Sequence, residues 1–201
     1  MKRILQELKE RKWLYIFIVV FIFGTGLMKN SLRKTPDIQT PISENTTNIP
    51  AQEGYKTYKN QLMMIEHLEY PADWVVEESE DKLGVVFDSP DKHVDVIATF
   101  YAGNSSYTLE KLSTQILQGA EENGLNITSH KIITINNREW FQYDYRTSES
   151  GHSFDNRAMV YIFQQNQHRQ FIKIQMESNV GSFSSDLSTF DHLVSTLTLS
   201  K

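Results

Sequence analysis

Residues 158–176, AMVYIFQQNQHRQFIKIQM, indicate what kind of sheet lies at the centre of the fold. Two apolar runs flank the polar residues 166–169, and this spacing predicts a hairpin of two antiparallel strands. In the first run, apolar residues follow one another from 159 to 163, so both faces of the strand are apolar. Such a run is typical of a central strand that is covered on both sides. We therefore expect a central antiparallel sheet with helices packed over it.

The neighbouring segments extend this sheet. Residues 93–101 alternate between apolar and polar side chains, which predicts a half-buried strand. The pair Asn136-Asn137 tolerates positive φ and predicts a tight hairpin between strands at 127–135 and 139–146. A further strand is expected over 61–70, ending before a turn at Pro71. The sheet is thus predicted to be built from hairpins.

Two segments have helical spacing. Thr108 can cap a helix whose apolar positions share one face and which ends at Gly124. A second helix is expected from about Ser182, with Phe183, Leu187, Phe190, Val194 and Leu197 at helical spacing. The order of strands, helix, hairpins and closing helix predicts a fold of the α+β class. Its expected architecture is an α/β sandwich, in which helices cover a central antiparallel sheet.

The N-terminal part of the chain has a different character. Residues 13–28, WLYIFIVVFIFGTGLM, are apolar and uncharged, with Lys and Arg on both sides. As a helix this run spans about 24 Å, a little less than the hydrocarbon core of about 30 Å, and the flanking Lys side chains can extend to the headgroups. We predict a basic cytoplasmic segment at 1–12, a transmembrane signal-anchor at 13–28, a flexible polar linker at 29–53 and a globular domain at 54–201.

Two alternatives remain open for this segment. Small residues at Gly24-Thr25-Gly26 also suit a cleaved signal peptide. The aromatic residues Trp13 and Tyr15 favour a retained anchor, because such rings lie at membrane interfaces. Five Lys and Arg precede the run and three follow it closely, so the positive-inside rule favours a cytoplasmic N-terminus. The predicted location is a single-pass protein of the cell membrane whose C-terminal domain is extracytoplasmic.

Charge and cysteine content exclude several classes of function. Residues 1–34 carry a net charge of +6, from eight Lys and Arg against two Glu, whereas the rest of the chain carries −11, from 12 Lys and Arg against 23 Asp and Glu. Nucleic acids and anionic lipids attract basic surfaces, so we expect no nucleic-acid partner. The chain has no cysteine, which excludes disulfides, thiolate metal sites and lipoprotein anchoring.

Three motifs carry a resemblance to a known family. They are YPADW at residues 70–74, VVFDSP at 85–90 and TLE at 108–110. Together they resemble the PsbP/Mog1-like family, and the resemblance extends over nearly the whole soluble part. It implies an α/β sandwich that acts as a binding module and not as an enzyme, with Tyr70, Pro71 and Trp74 forming a packing corner.

The resemblance also implies a class of partner. Plant and cyanobacterial members of the family serve photosystem II on the lumenal side, and Mog1 members bind a small GTPase. We therefore expect a monomeric soluble domain that assists the assembly or stability of a membrane or envelope protein complex. In a photosynthetic host that complex would be photosystem II, and in a cyanobacterium the domain would lie in the thylakoid lumen.

The alternative function is an extracytoplasmic sensor that binds a small ligand or a divalent metal ion. Two pairs, His93 with Asp95 and His67 with Glu69, are spaced to share one strand face and could offer imidazole and carboxylate ligands. Solvated polar faces of half-buried strands are the more ordinary explanation of both pairs, because a two-residue pair lacks the spacing of a ligand motif, and no other cofactor is expected. No Gly-x-Ser-x-Gly motif is present, so we predict no enzymatic activity.

Overall fold

The computed structural model describes residues 51–103, 107–149, 151–165 and 168–200, all within the compact unit Ile49–Lys201. The predicted segments at 1–12 and 13–28, and most of the linker at 29–53, lie outside these ranges. Within the ranges, no helix is both long enough and apolar enough to cross a bilayer.

The described elements are mostly antiparallel strands. The strands are β1 Tyr55–Asn60, β2 Ile65–Pro71, β3 Val75–Glu78, β4 Gly84–Asp88, β5 Val94–Ala102, β6 Asn126–Ile135, β7 Arg138–Glu149, β8 His152–Gln165, β9 His168–Asn179 and β10 Thr198–Leu199. The helices are α1 Leu109–Glu122 and α2 Phe183–Thr196. The prediction of an antiparallel α+β fold is confirmed.

The strands form two sheets. Seven strands pair in the order β3-β4-β5-β9-β8-β7-β6, and a small sheet has the order β1-β2-β10. The middle strand of the large sheet is β9, and β8, which contains the apolar run 159–163, lies next to it. β9 is buried on both faces from Phe171 to Met176, whereas in β8 residues 158–160 of both faces are buried and residues 161–163 of the apolar run are half-buried. Hairpin pairing alone could not tell which of the two occupies the centre.

The main core lies on one face of the large sheet, which we call the core face. The register places Val96 opposite Met176 and Ala98 opposite Ile174, and all four are fully or almost fully buried. Side chains of α2 and of the small sheet pack against this face, with Phe190 among those that are completely buried. Apolar burial of this kind stabilises a fold by about 25 cal/mol per Å².

The opposite face of the large sheet, which we call the second face, carries the rings of Phe141, Tyr143 and Tyr145. These rings are buried and stacked in a row, with centroids 5.5 and 5.7 Å apart. Helix α1 packs against β6 and β7. Tyr107, just before α1, makes an edge contact with Phe171 of the second face. The aromatic stripe is therefore part of the packed interior and not an open platform.

Local chemistry sets the ends of several elements. Oγ1 of Thr108 accepts a hydrogen bond from the N–H of Lys111, which caps α1 as expected. Asn136 and Asn137 both have positive φ, 50° and 59°, as a two-residue hairpin requires. The strand predicted over 61–70 begins only at Ile65, because residues 61–64 form a turn that ends with Met64 at a φ of 58°. That turn joins β1, which the sequence did not reveal, to β2.

Candidate functional site

Three polar side chains meet where β2 packs against α2. His67 and Glu69 lie on one face of β2, because side chains two positions apart share a strand face. Nε2 of His67 is 3.1 Å from Oε1 of Glu69, and Nε2 of His192, on α2, is 2.8 Å from Oε2 of Glu69. The carboxylate is thus held between two imidazoles, and we call His67, Glu69 and His192 the His–Glu–His cluster.

Neighbouring groups hold this cluster in place. The backbone N–H of Glu69 donates to Oγ1 of Thr196 at 3.0 Å, and the backbone N–H of Gln52 donates to Oε1 of Glu69 at 3.3 Å. The ring of Tyr55 lies against His192, with centroids 4.0 Å apart. Glu69 is only 5% exposed. The cluster is therefore largely shielded from solvent and joins β2 to the last helix.

The charge on Glu69 favours hydrogen bonds from the ring N–H groups of the two histidines over coordination of a metal ion by the same nitrogens. Burial raises the pKa of Glu69, but hydrogen bonds from His192, His67 and the Gln52 backbone outweigh burial and hold the pKa below its usual 4.5. An ionised carboxylate only accepts hydrogen bonds, so each imidazole presents an N–H to it, whereas a metal ion would need the lone pair of that nitrogen. Across the ranges described, no three or more His, Asp and Glu side chains are arranged to hold a metal ion.

The second predicted pair is placed differently. His93 comes just before β5, and its Nε2 is 3.2 Å from Oδ1 of Asp186 on α2, while its Nδ1 is bonded to Asp91. The hydroxyl of Ser178 donates to the other oxygen of Asp186 at 2.6 Å. Asp95 is on β5 itself, opposite residues of β4 and β9. The side chain of His93 is thus bonded to a loop and a helix.

These contacts perturb the titration of His93. The hydrogen bond to Asp91 raises the pKa of His93, burial opposes this, and the bond to Asp186 raises the pKa further, with a net shift upward from 6.5. The protonated imidazole is consequently stabilised between two carboxylates. These bonds hold the loop before β5 against α2, and they are strongest when the imidazole of His93 is protonated.

A groove of about 400 Å³ lies where the start of α1 meets the end of β8 and the start of β7. The rings of Tyr161 and Phe163 form part of its wall, with centroids 6.0 Å apart and planes 16° from parallel. Two arginines, Arg138 and Arg169, also line it. Cζ of Arg138 lies 5.5 Å from the centre of the Tyr161 ring, within cation–π distance.

The outer edge of the large sheet at β6 is long and open. This strand has ten residues without proline, and in the part of the chain that the structure describes no strand pairs with its outer edge. Most of its side chains are exposed, including Ile132 at 53%. The other edge strand, β3, has only four residues. A long edge strand offers many unpaired N–H and C=O groups with which a strand of another chain can pair, whereas a short edge strand offers few.

The sequence predicts two members of the His–Glu–His cluster, His67 and Glu69, but not the third, His192. His192 is 123 residues from Glu69, and no local pattern connects them. Asp186, the helix partner of His93, was missed for the same reason. No motif marked the groove arginines, which line it from opposite faces of the large sheet: Arg138 lies on the core face with Tyr161, and Arg169 lies on the second face opposite Gln164.

Comparison with known proteins shows the fold alone. No protein-family model and no curated protein sequence matches the chain. The structure is similar to that of LpqN, which is involved in cell envelope biogenesis of Mycobacterium tuberculosis, with a TM-score of 0.52 and 13% identity over 67% of this chain and 82% of LpqN. It is also similar to PA94, a protein of unknown function from Pseudomonas aeruginosa, with a TM-score of 0.50 and 14% identity over 73% of this chain and 98% of PA94.

Proposed function

We propose that this chain is a membrane-anchored, extracytoplasmic, non-enzymatic binding module of the PsbP/Mog1-like kind. Its role is to assist the assembly or stability of a membrane or envelope protein complex, which in a photosynthetic host is photosystem II. The apolar run at 13–28 and the acidic composition of the remainder support a tethered outer domain. The part that LpqN plays in envelope biogenesis supports a role at the cell surface.

The YPADW motif supports the family assignment. The ring of Tyr70 packs on Phe87 with centroids 5.2 Å apart, and Trp74 is half-buried against the same core. Both residues thus have the packing role that the resemblance implies. The proposed assignment to that family rests on these motifs and on the α+β architecture that the resemblance implies.

The unpaired outer edge of β6 is the feature that best supports binding of a protein partner. An extended segment of a partner can add to such an edge, with its main chain supplying hydrogen bonds and its side chains supplying specificity. The domain is acidic, so the partner surface that completes the contact is basic. Tethering confines the domain beside the membrane and raises its effective concentration there, so weak contacts suffice.

Photo-cross-linking from β6 in native membranes tests this proposal. A cross-linking residue at Ile132 is expected to capture one integral membrane or envelope protein, less efficiently as salt is raised. Val180, 51% exposed against 53% for Ile132, is the matched control and should not capture that protein. Thr134→Lys, which adds a charge to the edge, should abolish capture from position 132. Capture that is equal from both positions, or unchanged by Thr134→Lys, contradicts the proposal.

The second candidate function is an extracytoplasmic sensor of a small ligand or a divalent ion, and the His–Glu–His cluster is where a metal test is aimed, since each imidazole as it stands presents an N–H to the carboxylate. Two imidazoles and a carboxylate within hydrogen-bond distance are the groups a divalent ion would recruit, after the loss of both N–H bonds. Dialysis of the full chain against zinc, followed by metal analysis, tests this candidate. Stoichiometric zinc that is lost in His192→Gln, combined with cross-links only to the protein itself, would replace the assembly function with the sensor function.

A further inference from the structure

Strand β8 extends beyond its neighbour β7 at the groove between α1 and the ends of these two strands. The ladder that joins β7 to β8 ends at the pair of Trp140 with Tyr161, whereas β8 goes on pairing with β9 as far as residue 165. In the part of the chain that the structure describes, residues 162–165 therefore pair with a strand on one side only. Residues 162–164 line the groove, so the unpaired side of β8 forms part of its wall.

This side of β8 can accept a further strand. In an antiparallel ladder, successive residues direct their N–H and C=O groups to alternate sides, so half of residues 162–165 direct these groups away from β9. An extended peptide can pair with such groups and continue the sheet where β7 stops. The volume of about 400 Å³ falls within the range of about 300 to 1,000 Å³ that is common for ligand sites, so the groove accepts a short segment.

The two faces of the sheet offer different side chains to such a peptide. Arg138 lies on the core face together with the nearly parallel rings of Tyr161 and Phe163. Arg169 lies on the second face, opposite Gln164. Neighbouring side chains of an extended peptide point to opposite faces. One residue of the peptide would therefore meet Arg138 and the two rings, and the next would meet Arg169.

Both arginines are held in place, and neither forms an ion pair with a residue that the structure describes. Nη1 of Arg138 donates to the carbonyl of Leu197 at 2.9 Å, and Nη1 of Arg169 donates to the carbonyl of Tyr107. A guanidinium has five N–H donors, so most of each fork remains for a carboxylate. With Glu139 as its acidic residue against two arginines, the lining of the groove is net positive. These charges select a peptide with acidic side chains on both of its faces.

We propose that the groove binds an extended acidic segment of another protein, which adds to β8 along residues 162–165. The main chain of the segment pairs with β8, and acidic side chains on its two faces bind Arg138 and Arg169 separately. An aromatic side chain of the segment packs on the rings of Tyr161 and Phe163. This site is separate from the outer edge of β6, and different variants test the two contacts.

Blocked pentapeptides test the main-chain pairing. The acetylated and amidated peptide Glu-Glu-Phe-Glu-Glu is titrated into the full chain in detergent and followed by calorimetry, and we expect saturable binding with a Kd of about 1 mM or tighter. Because alternate N–H groups point to opposite sides, N-methylation of the second and fourth residues removes different donors from N-methylation of the first, third and fifth. One pattern should weaken binding by at least about tenfold, and the other should change it by less than about twofold. Absence of saturable binding, equal effects of both patterns, or binding of N-acetylglutamate as tight as that of the peptide overturns the proposal.

Charge variants test the preference for acidic segments. Arg138→Gln and Arg169→Gln should each weaken binding of the acidic peptide by about fivefold to tenfold, because each removes the partner of one carboxylate. Arg146→Gln is the matched control and should leave binding unchanged, since Arg146 pairs with Asp155 away from the groove. The basic peptide Lys-Lys-Phe-Lys-Lys should not bind. Equal affinities of the acidic and basic peptides, or unchanged affinity in either groove variant, contradicts the proposal.

Discussion

Replacing Glu69 by leucine should destabilise the domain by removing the acceptor shared by two imidazoles. In the structure, Glu69 accepts hydrogen bonds from His67 and His192, and the leucine side chain can accept none. A buried donor left without an acceptor costs about 1 to 3 kcal/mol. The side chain of His192 is 20% exposed, so water can satisfy it in part. We therefore expect Glu69→Leu to cost about 2 to 4 kcal/mol of unfolding free energy.

Urea unfolding of a fragment spanning the compact unit, residues 49–201, at pH 7, followed by tryptophan fluorescence, measures this loss. Glu66→Leu is the matched control, because Glu66 is exposed on the same strand and should change stability by less than about 0.5 kcal/mol. A cost below about 1 kcal/mol for Glu69→Leu would show that the cluster is not the buried, hydrogen-bonded group described above.

The pH dependence provides a second readout of Glu69. Its folded-state pKa lies below the usual 4.5, so the carboxylate stabilises the fold fully above pH 4.5 and loses this contribution as pH falls through the lower folded value. The difference in stability between wild type and Glu69→Gln should consequently shrink as pH falls below 4.5 and through the folded pKa of Glu69. A difference that grows as pH falls below 4.5 would refute the assignment.

Four further predictions follow from particular residues. His93 has a raised pKa, so its contribution to stability should be complete below pH 6.5 and decline at higher pH, and His93→Gln should remove that decline in urea unfolding. Burial lowers the pKa of Lys173 from 10.5 to about 8, so Lys173→Met should raise the free energy of unfolding by about 3 kcal/mol at pH 7, and this gain should decline as pH rises from about 8 to 10.5. Asn137→Val should lower the melting temperature, because a β-branched residue does not tolerate its φ of 59°, and Asn137→Gly should not. The fragment 49–201 should unfold in one cooperative transition, and non-coincident fluorescence and circular dichroism transitions would contradict this.

Much of the fold is predictable from short-range patterns. Thr108 and the apolar positions that follow it predict α1, and the alternation from Val94 to Phe100 predicts β5, because each signal depends on neighbours within one element. The pair at Asn136 predicts its hairpin for the same reason. These signals work because capping, turn geometry and strand alternation act over a few residues.

Other features depend on contacts between distant residues and leave no local pattern. Strand β1 pairs with β2 through a turn at 61–64 that contains no glycine or proline, so the sequence predicted that these four residues belong to a strand over 61–70. The third strand of the small sheet, β10, is only two residues long and leaves no pattern of its own. His192 joins its partners only when α2 packs against β2, and the sequence could therefore supply two of the three members of the His–Glu–His cluster but not the third.

The function proposed above requires that the chain is held in the membrane and that its domain lies outside the cytoplasm. Protease added to intact spheroplasts, followed by carbonate extraction and detection of an epitope after residue 201, tests both requirements together. We expect the untreated chain to stay in the carbonate-washed membranes and protease to remove the epitope without detergent. An epitope that resists protease until the cells are lysed, or a mature chain that begins near Leu27 and leaves the membrane, would rule out a retained anchor with an outer domain.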